Sequence, residues 1–302
     1  MPLSAEARKL LESKGVSGIS DPENALRVYV EKEADLANLP SEIEGMSVIG
    51  VVSGKFNALQ RTGRWRPTLG GISIGHKNIS AGTLGCLALD KTTGKTVILS
   101  NNHILANSNQ GNIGDEILQP GPYDGGTLAD QVATLARFVN IKQPPYTNLV
   151  DCAIAAPLSD DLVSDEILEI GKIAGIGTVG TNIAVKKSGR TSGLAQGSVF
   201  DTEATIKVYG YPFPDEYAIF DDQIITTAIG APGDSGSVVL TADNRIVGLL
   251  FAGSDTLTAV NKIQNVADLL NIGFVVPPVV KASMPAALGA FMLGSILLGT
   301  AQ

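Results

Sequence analysis

Two series of short apolar runs, each run closed by a turn signal, constrain the fold of this chain more than any other feature. The first series lies within residues 67–156 and the second within residues 170–270. Polar segments at 90–95 and 242–245 separate consecutive runs and predict hairpin turns. Regularly spaced short strands joined by such turns are typical of β-sandwiches and β-barrels.

We therefore predict a mainly β protein with two antiparallel barrels of the six-stranded type. The first barrel is assigned to residues 66–160 and the second to residues 161–275. Residues 1–65 carry one short helical pattern and two strand patterns, and predict a small N-terminal α/β extension. Residues 276–302 form an apolar tail that we predict to be helical.

The two ends of the chain bear on localisation. The first nine residues are polar and lack the apolar core of a secretory signal, which predicts a cytoplasmic protein. Residues 282–302 contain no charged side chain, and a bilayer crossing needs about 20 apolar residues. Two interpretations of this segment stay open: a membrane contact, or a helix that packs on protein or on a second copy of the chain.

Charge and composition exclude several classes of function. The net charge is −8, whereas nucleic-acid binding needs a basic surface that displaces counterions, so we expect no nucleic-acid partner. The chain has two cysteines and two histidines, and no metal-ligand spacing joins them. We therefore predict no metal and no cofactor, and any catalysis has to come from ordinary side chains.

The segment Gly233-Asp-Ser235-Gly-Ser, followed by an apolar strand, carries the sharpest chemical signal. A serine between glycines lies on backbone that can bend tightly. The backbone N–H groups of Gly233 and Ser235 can then converge on one point and hold an oxyanion. The alternative interpretation is an ordinary glycine-rich turn before a strand.

Two further residues fit the activation of a serine nucleophile. His103 lies where an apolar strand gives way to polar residues, and imidazole exchanges protons near neutral pH. Asp151 lies inside an apolar strand, where a buried carboxylate needs a partner, and a hydrogen bond to His103 would supply one. Asp115 and Asp130 are alternative orienting acids. The other histidine, His76, is interpreted as a structural hydrogen-bonding residue.

The chain order narrows the choice of fold. The order His103, Asp151, Ser235 is that of chymotrypsin-like enzymes. In α/β-hydrolases the serine comes first, and here no histidine follows Ser235. In subtilisins the aspartate comes first, and the acids that precede His103 have no convincing catalytic context.

Residues 66–272 resemble the trypsin-like serine peptidases of the chymotrypsin fold. Gly-Asp-Ser-Gly-Ser matches the nucleophile motif of trypsin, and the segment at 99–105 is similar to the histidine motif of the HtrA/Deg proteases. Together with SIGH (73–76), ILQPGPYDGG (117–126) and VDCAIA (150–155), these motifs resemble a bacterial, intracellular-type subgroup with an N-terminal extension. The resemblance implies a chymotrypsin-like fold and hydrolysis of peptide bonds through an acyl-enzyme, without a cofactor.

Asp234, next to the nucleophile, is predicted to support the serine turn. In trypsins the equivalent aspartate pairs with a new N-terminus, but no basic cleavage site directly precedes the glycines at 70–71. Arg190 is one hypothesis for the partner of Asp234, and a solvated turn aspartate is the alternative.

Substrate specificity is weakly encoded. The loop at 226–232 contains no acid like that at the base of the trypsin pocket. The strand at 247–253 is expected to form one wall, with Gly248, Leu249 and Phe251 contacting the substrate. We predict a small or apolar side chain before the scissile bond.

The sequence thus predicts a serine endopeptidase with a polypeptide substrate. A second hypothesis is a catalytically silent scaffold that kept the protease fold and binds a peptide or a partner. A third is a membrane-tethered or oligomeric protein in which the tail matters more than hydrolysis.

Overall fold

The computed structural model describes residues 3–22, 25–54, 56, 60–211 and 215–274. The chain separates into two compact units, residues 1–60 and residues 61–302. This division lies five residues before the predicted one at 65/66. The predicted tail, residues 276–302, lies outside the described residues. None of the described helices has the length and apolar character needed to cross a bilayer.

The N-terminal unit has one helix and a four-stranded sheet. Ser4 caps the helix by accepting a hydrogen bond from the backbone N–H of Ala7 at 3.1 Å. The sheet order is β1-β2-β4-β3, with β2 and β4 parallel. The elements are α1 (Ala5–Lys9), β1 (Val16–Ser20), β2 (Ala25–Val30), β3 (Glu42–Ile43) and β4 (Met46–Val52). The sequence patterns indicated the helix, β2 and β4, but not β1, whose central glycine weakens a strand pattern.

The larger unit is built almost entirely from short strands. Those of its first half are β5 (Thr68–Gly70), β6 (Ser73–His76), β7 (Gly82–Thr83), β8 (Cys86–Asp90), β9 (Thr96–Ser100), β10 (Glu116–Leu118), β11 (Gln131–Phe138), β12 (Thr147–Asn148) and β13 (Ala153–Pro157), with helix α2 (Asn102–Leu105) after β9.

The second half contains the longest strands of the described chain. Its elements are β14 (Val163–Ile167), β15 (Gly171–Lys172), β16 (Gly175–Ile176), β17 (Ala184–Gly189), β18 (Gly193–Tyr209), β19 (Tyr217–Thr227), β20 (Val238–Thr241), β21 (Arg245–Gly253), β22 (Leu257–Lys262), α3 (Ile263–Leu270) and β23 (Ile272–Gly273).

The strands of the two halves form two eight-stranded sheets and a three-stranded sheet of order β15-β14-β5. The first has the order β23-β8-β9-β13-β11-β10-β6-β7. In the second, β19-β18-β17-β20-β21 run side by side, and β22 pairs with both β21 and β19. This closes a ring of six strands, and all six pairings are antiparallel. The prediction of a mainly β chain with two barrel-like sheets is confirmed.

Both predicted hairpins are present. Residues 90–95 join β8 to β9, and residues 242–245 join β20 to β21, each between antiparallel neighbours. The last helix of the described chain, α3, packs buried apolar side chains into the core shared by the two sheets. Beyond it, β23 pairs with β8, so the described chain returns to the first sheet after finishing the second.

A shared core joins the two sheets. Buried side chains of the first sheet, such as Leu99 and Cys152, form one cluster with Leu240 and Leu249 of the second. Burial of a leucine side chain contributes about 1.5–3 kcal/mol, so this cluster is the main apolar contact that holds the sheets together.

The fold predicts a large effect of truncating this shared core. We expect Leu240→Ala to lower the free energy of unfolding by about 2–5 kcal/mol, because Leu240 is fully buried and the lost side chain leaves a cavity. Leu158→Ala, at a half-exposed position, is the matched control and should stay within about 0.5 kcal/mol of wild type. Urea unfolding measures both, and equal stabilities for the two variants would contradict this account of the core.

Candidate active site

His103 lies at the seam, in the short helix that follows β9. Asn101 precedes the helix, and its side-chain amide donates a hydrogen bond to the backbone carbonyl of Asp151 at 2.7 Å. The amide of Asn102 donates to the carbonyl of Val139 at 2.7 Å. These polar residues after the strand therefore fix the turn that presents His103, whose side chain is 19% exposed.

Asp151 is fully buried and faces His103, as the sequence predicted. Its carboxylate accepts hydrogen bonds from His103 Nδ1 and, at 3.2 Å, from the backbone N–H of His103. Its own backbone N–H donates to Asn261 Oδ1 at 2.9 Å. Because Asn261 belongs to β22, a strand of the second sheet holds the segment that leads into β13 of the first sheet.

The two alternative acids lie in other arrangements. Asp115 accepts a hydrogen bond from Nε2 of the buried His76 at 3.0 Å, while the backbone N–H of Asn78 donates to His76 Nδ1. The backbone N–H of Asn112, followed by His76 and Lys77, lowers the pKa of Asp115 well below its usual range. Asp130 caps a short turn through the backbone N–H of Thr127. His76 thus has the structural hydrogen bonds expected of it.

Tyr211 is a member of the site that the sequence analysis did not single out. Its hydroxyl donates to Asp151 Oδ2 at 2.5 Å and lies 2.8 Å from His103 Nδ1. Burial, together with the charge of Asp151, raises the pKa of the phenol well above its usual value. A tyrosine between a glycine and a proline belongs to no recognised catalytic motif. The sequence therefore indicated only an aromatic residue in a turn.

The serine turn is bent as predicted. Gly233 and Gly236 have φ of +98° and +97°, and a Cβ on Gly236 would lie 2.2 Å from the carbonyl oxygen of Thr83. Thr83 fixes the turn twice: its N–H donates to the carbonyl of Ser235 at 2.8 Å and its hydroxyl to the carbonyl of Gly233 at 2.9 Å. The first sheet therefore shapes a turn that belongs to the second.

The backbone N–H groups of Gly233 and Ser235 were predicted to form an oxyanion hole. Among the described residues, no side chain or carbonyl accepts a hydrogen bond from either group. Both groups flank the buried Asp234.

The hydroxyl of Ser235 donates to the carbonyl of Phe251 at 3.4 Å, rather than to the His103 ring. Ser235 lines a cavity of about 230 Å³, and His103 lines a second cavity of about 470 Å³. Ala252 and Gly253 form part of both walls. The structure thus brings His103 and Asp151 into contact and places Ser235 in an adjoining cavity.

Asp234 has a different partner from the one hypothesised. The carboxylate accepts from Lys187 Nζ at 2.7 Å and from Ser192 Oγ at 2.5 Å, and both Asp234 and Lys187 are fully buried. Arg190 forms an ion pair with Asp124 instead. The Arg190 hypothesis is therefore wrong, because Lys187 projects into the ring beneath the serine turn.

The Asp234–Lys187 pair stays ionised through its hydrogen bonds. Burial alone would raise the pKa of Asp234, but donation by Lys187 and Ser192 outweighs it and the pKa lies below its usual value. Burial lowers the pKa of Lys187, and the charge of Asp234 opposes this. The backbone N–H groups of Ala231 and Thr191 also donate to Asp234, which favours the ionised pair.

The expected substrate wall needs a correction. Leu249 is fully buried in the core between the sheets, and Gly248 packs against Val260 and the Asn261 carbonyl. Neither residue lines the cavity beside Ser235 or the one beside His103. Phe251 does line the cavity beside His103.

The wall beside Ser235 is formed by other residues. The lining residues there are mostly small or apolar: Gly230, Ala231, Pro232, Leu250, Ala252, Gly253, Ser254, Asp255 and Thr258. Within the described part of the chain, no group of three or more His, Cys, Asp or Glu side chains is placed to hold a metal ion.

Comparison with known proteins identifies the fold. No family model and no curated protein matches the chain in sequence. Among solved structures it is similar to Thermobifida fusca Protease A, at a TM-score of 0.52 and 17% identity over 69% of this chain and 98% of the other. It is also similar to Cellulomonas bogoriensis chymotrypsin (0.50, 16%, 69% and 98%) and to Nocardiopsis protease (0.51, 16%, 68% and 97%). The predicted chymotrypsin-like fold is confirmed.

The buried ion pair predicts how the serine turn responds to mutation. We expect Lys187→Met to lower the free energy of unfolding by about 3–5 kcal/mol, because it leaves the Asp234 charge buried without its cation. Lys186→Met is the matched control: the neighbouring lysine donates only to an exposed backbone carbonyl and should change stability by less than about 0.5 kcal/mol. Urea unfolding at pH 7 gives both values.

The same pair fixes the sign of the acid dependence. The pKa of Asp234 is lowered on folding, so its contribution to stability is complete above the ordinary aspartate value of about 4 and is lost as the pH falls further. Wild type should therefore lose more stability than Lys187→Met between about pH 4 and pH 2. Parallel losses in the two proteins would show that Lys187 does not set the pKa of Asp234.

Proposed function

We propose that this chymotrypsin-fold protein is a serine endopeptidase with Ser235 as nucleophile, His103 as general base and Asp151 as the group that orients the histidine. The observation that carries the proposal is the buried Asp151–His103 pair beside a serine turn with two unengaged N–H groups. The similar solved structures, two proteases and a chymotrypsin, support it.

The proposed reaction proceeds through an acyl-enzyme. Ser235 Oγ attacks the carbonyl carbon of the scissile peptide bond and gives its proton to His103 Nε2. The C–N bond then breaks, and the same proton passes to the leaving amine. A water molecule, deprotonated by His103, hydrolyses the ester, and the proton returns to Ser235. Asp151 keeps the proton of His103 on Nδ1, so that Nε2 is free to act as base.

The serine hydroxyl has to change its hydrogen-bond acceptor before it can react. In the structure it donates to the Phe251 carbonyl, and in the proposed reaction it donates to His103. Hydrogen bonds in the catalytic groups of unliganded enzymes are often long and shorten when substrate binds. Phe251, whose carbonyl accepts the serine proton, also lines the cavity that contains the His103 ring.

The oxyanion of the tetrahedral intermediate would lie at the N–H groups of Gly233 and Ser235. Removal of one such donor typically costs about 10²–10³ in kcat. Thr83 holds the carbonyls of the same two residues, and this fixes the direction of the neighbouring peptide groups.

The surface around the end of β21 is suited to an extended peptide. Three cavities share Ala252 and Gly253 as wall residues, the third having a volume of about 530 Å³. On one side these two residues pair with β22, whereas the pairing with β20 ends at Leu249. An added strand can hydrogen-bond along the free edge and place alternate side chains in the cavities.

A second candidate function is a peptide-binding protein without hydrolytic activity. The hydrogen bond of Ser235 to Phe251 rather than to His103 is the observation that favours it. Such a protein would use the same edge and cavities but would not activate its serine.

Active-site labelling separates the two candidates. We expect a fluorophosphonate probe to modify Ser235 of the wild type, because the base and the oxyanion donors make its hydroxyl nucleophilic. Labelling should vanish in Ser235→Ala and fall at least about a hundredfold in His103→Ala and in Asp151→Asn. Ser164→Ala, in β14, is the control and should label as the wild type does. Peptide binding without any labelling would identify the binding protein.

Cleavage of a peptide library tests the specificity. We expect cleavage after small or apolar residues, because the cavity beside Ser235 has walls of Gly, Ala, Pro and Leu. Asp255, in the exposed turn between β21 and β22, is the charged residue of that lining. Cleavage confined to sites after Lys or Arg, and abolished by Asp255→Asn, would show that this carboxylate selects the substrate instead.

A further inference from the structure

We propose that Tyr211 is a positioning residue for the His103–Asp151 pair, which it holds in the geometry and the tautomer that a general base needs. This inference rests on the proposed endopeptidase function. It assigns a role to a residue from the turn after β18, on the opposite side of the seam from both members of the pair.

The first argument is the compensation of a buried charge. The Asp151 side chain has no exposure to solvent, and a buried carboxylate without hydrogen-bond donors is costly. His103 supplies two donors, its backbone N–H and its Nδ1. Among the described residues, Tyr211 is the one further side chain that donates to this carboxylate. Without Tyr211, every hydrogen bond to the charge would come from the histidine that the charge is meant to orient.

The second argument concerns the position of the protons. The phenol has one proton, and its oxygen lies 2.5 Å from Asp151 Oδ2 and 2.8 Å from His103 Nδ1. The raised pKa of Tyr211 keeps that proton on the phenol, and the carboxylate is its stronger acceptor. Nδ1 then faces two oxygen atoms, which favours the tautomer with a proton on Nδ1. The lone pair of Nε2 is thereby left for the serine proton.

The third argument is that Tyr211 is itself held firmly. Its side chain is almost completely buried and packs edge-on against Phe220, with ring centroids 5.8 Å apart. It also packs edge-on against the His103 ring at 5.5 Å. The carbonyl of Tyr211 accepts a hydrogen bond from Gln143 Nε2 at 2.8 Å, which ties the turn to the first half of the unit. A tyrosine fixed in this way can restrain the imidazole plane.

The test is Tyr211→Phe, which removes the hydroxyl and keeps the packed ring. We expect kcat for a cleaved peptide, and the rate of fluorophosphonate labelling, to fall about tenfold or more with KM unchanged, as the loss of a hydrogen bond to a charged group predicts. Tyr146→Phe, at an exposed tyrosine whose hydroxyl makes no hydrogen bond among the described residues, is the matched control and should match the wild type. Unchanged rates in Tyr211→Phe would overturn the proposal.

A double-mutant cycle tests whether Tyr211 acts through Asp151. The double variant Asp151→Asn/Tyr211→Phe should label no more slowly than Asp151→Asn alone, because the hydroxyl then has no carboxylate to support. Additive losses from the two changes would mean that Tyr211 acts on something other than the pair, and the proposal would fail.

Proton NMR supplies a readout that does not need activity. The chain has two histidines, so the hydrogen-bonded ring proton of His103 can be followed with the ring proton of His76 as an internal reference. In Tyr211→Phe we expect the His103 Nδ1 proton to change its chemical shift or to exchange faster, with the His76 signal unchanged. If the wild type shows no labelling but this change occurs, the endopeptidase function fails and the positioning by Tyr211 stands. If the His103 signal does not respond, the positioning fails.

Discussion

The seam between the sheets depends on compensating two buried carboxylates. Asp151 and Asp234 are both inaccessible to solvent, and a charge so placed has to find its hydrogen bonds within the protein. Each finds them across an element boundary: Asp151 from the histidine helix and the turn after β18, Asp234 from β17 and the turn that follows it. The donors to Asp234 lie in its own half of the unit, whereas Asp151 accepts hydrogen bonds from both halves. The hydrogen bonds of Asp151 therefore help to fix the relative placement of the two sheets, together with the shared apolar core.

The features that could be predicted from the sequence are those encoded by neighbouring residues, either as a repeating apolar pattern or as a short motif. Apolar runs between turn signals predicted the strands and both hairpins, because strand patterns and turn chemistry are local. The chain order of His103, Asp151 and Ser235 predicted which residues would lie at the seam. The contact of His103 with Asp151 could be expected from a carboxylate within an apolar stretch of sequence, although Asp151 lies between β12 and β13 rather than inside a strand.

Other residues of the site could not be predicted. Their roles depend on which face of a strand a side chain lies on, or on contacts with residues distant in the chain. Lys186 and Lys187 are adjacent in sequence, and only the three-dimensional register shows that the second faces the buried Asp234 and the first the surface. Tyr211 and Thr83 act through contacts with residues more than 100 positions away in the chain. Gly248 and Leu249 were misassigned as wall residues because the sequence does not show which part of β21 is enclosed by β22 and by the core between the sheets.

The cation that pairs with Asp234 is Lys187, which belongs to the closed ring of strands. The conformation of the serine turn therefore depends on the formation of this ring. Once β17 has taken its place beside β20, Lys187 is already beneath the turn, and no cut in the backbone is needed to create a positive group there. The ion pair that supports the serine turn thus forms when the ring of strands folds. In the proposed endopeptidase, occupancy of the neighbouring edge of β21 would then be one way to restrain chemistry at Ser235.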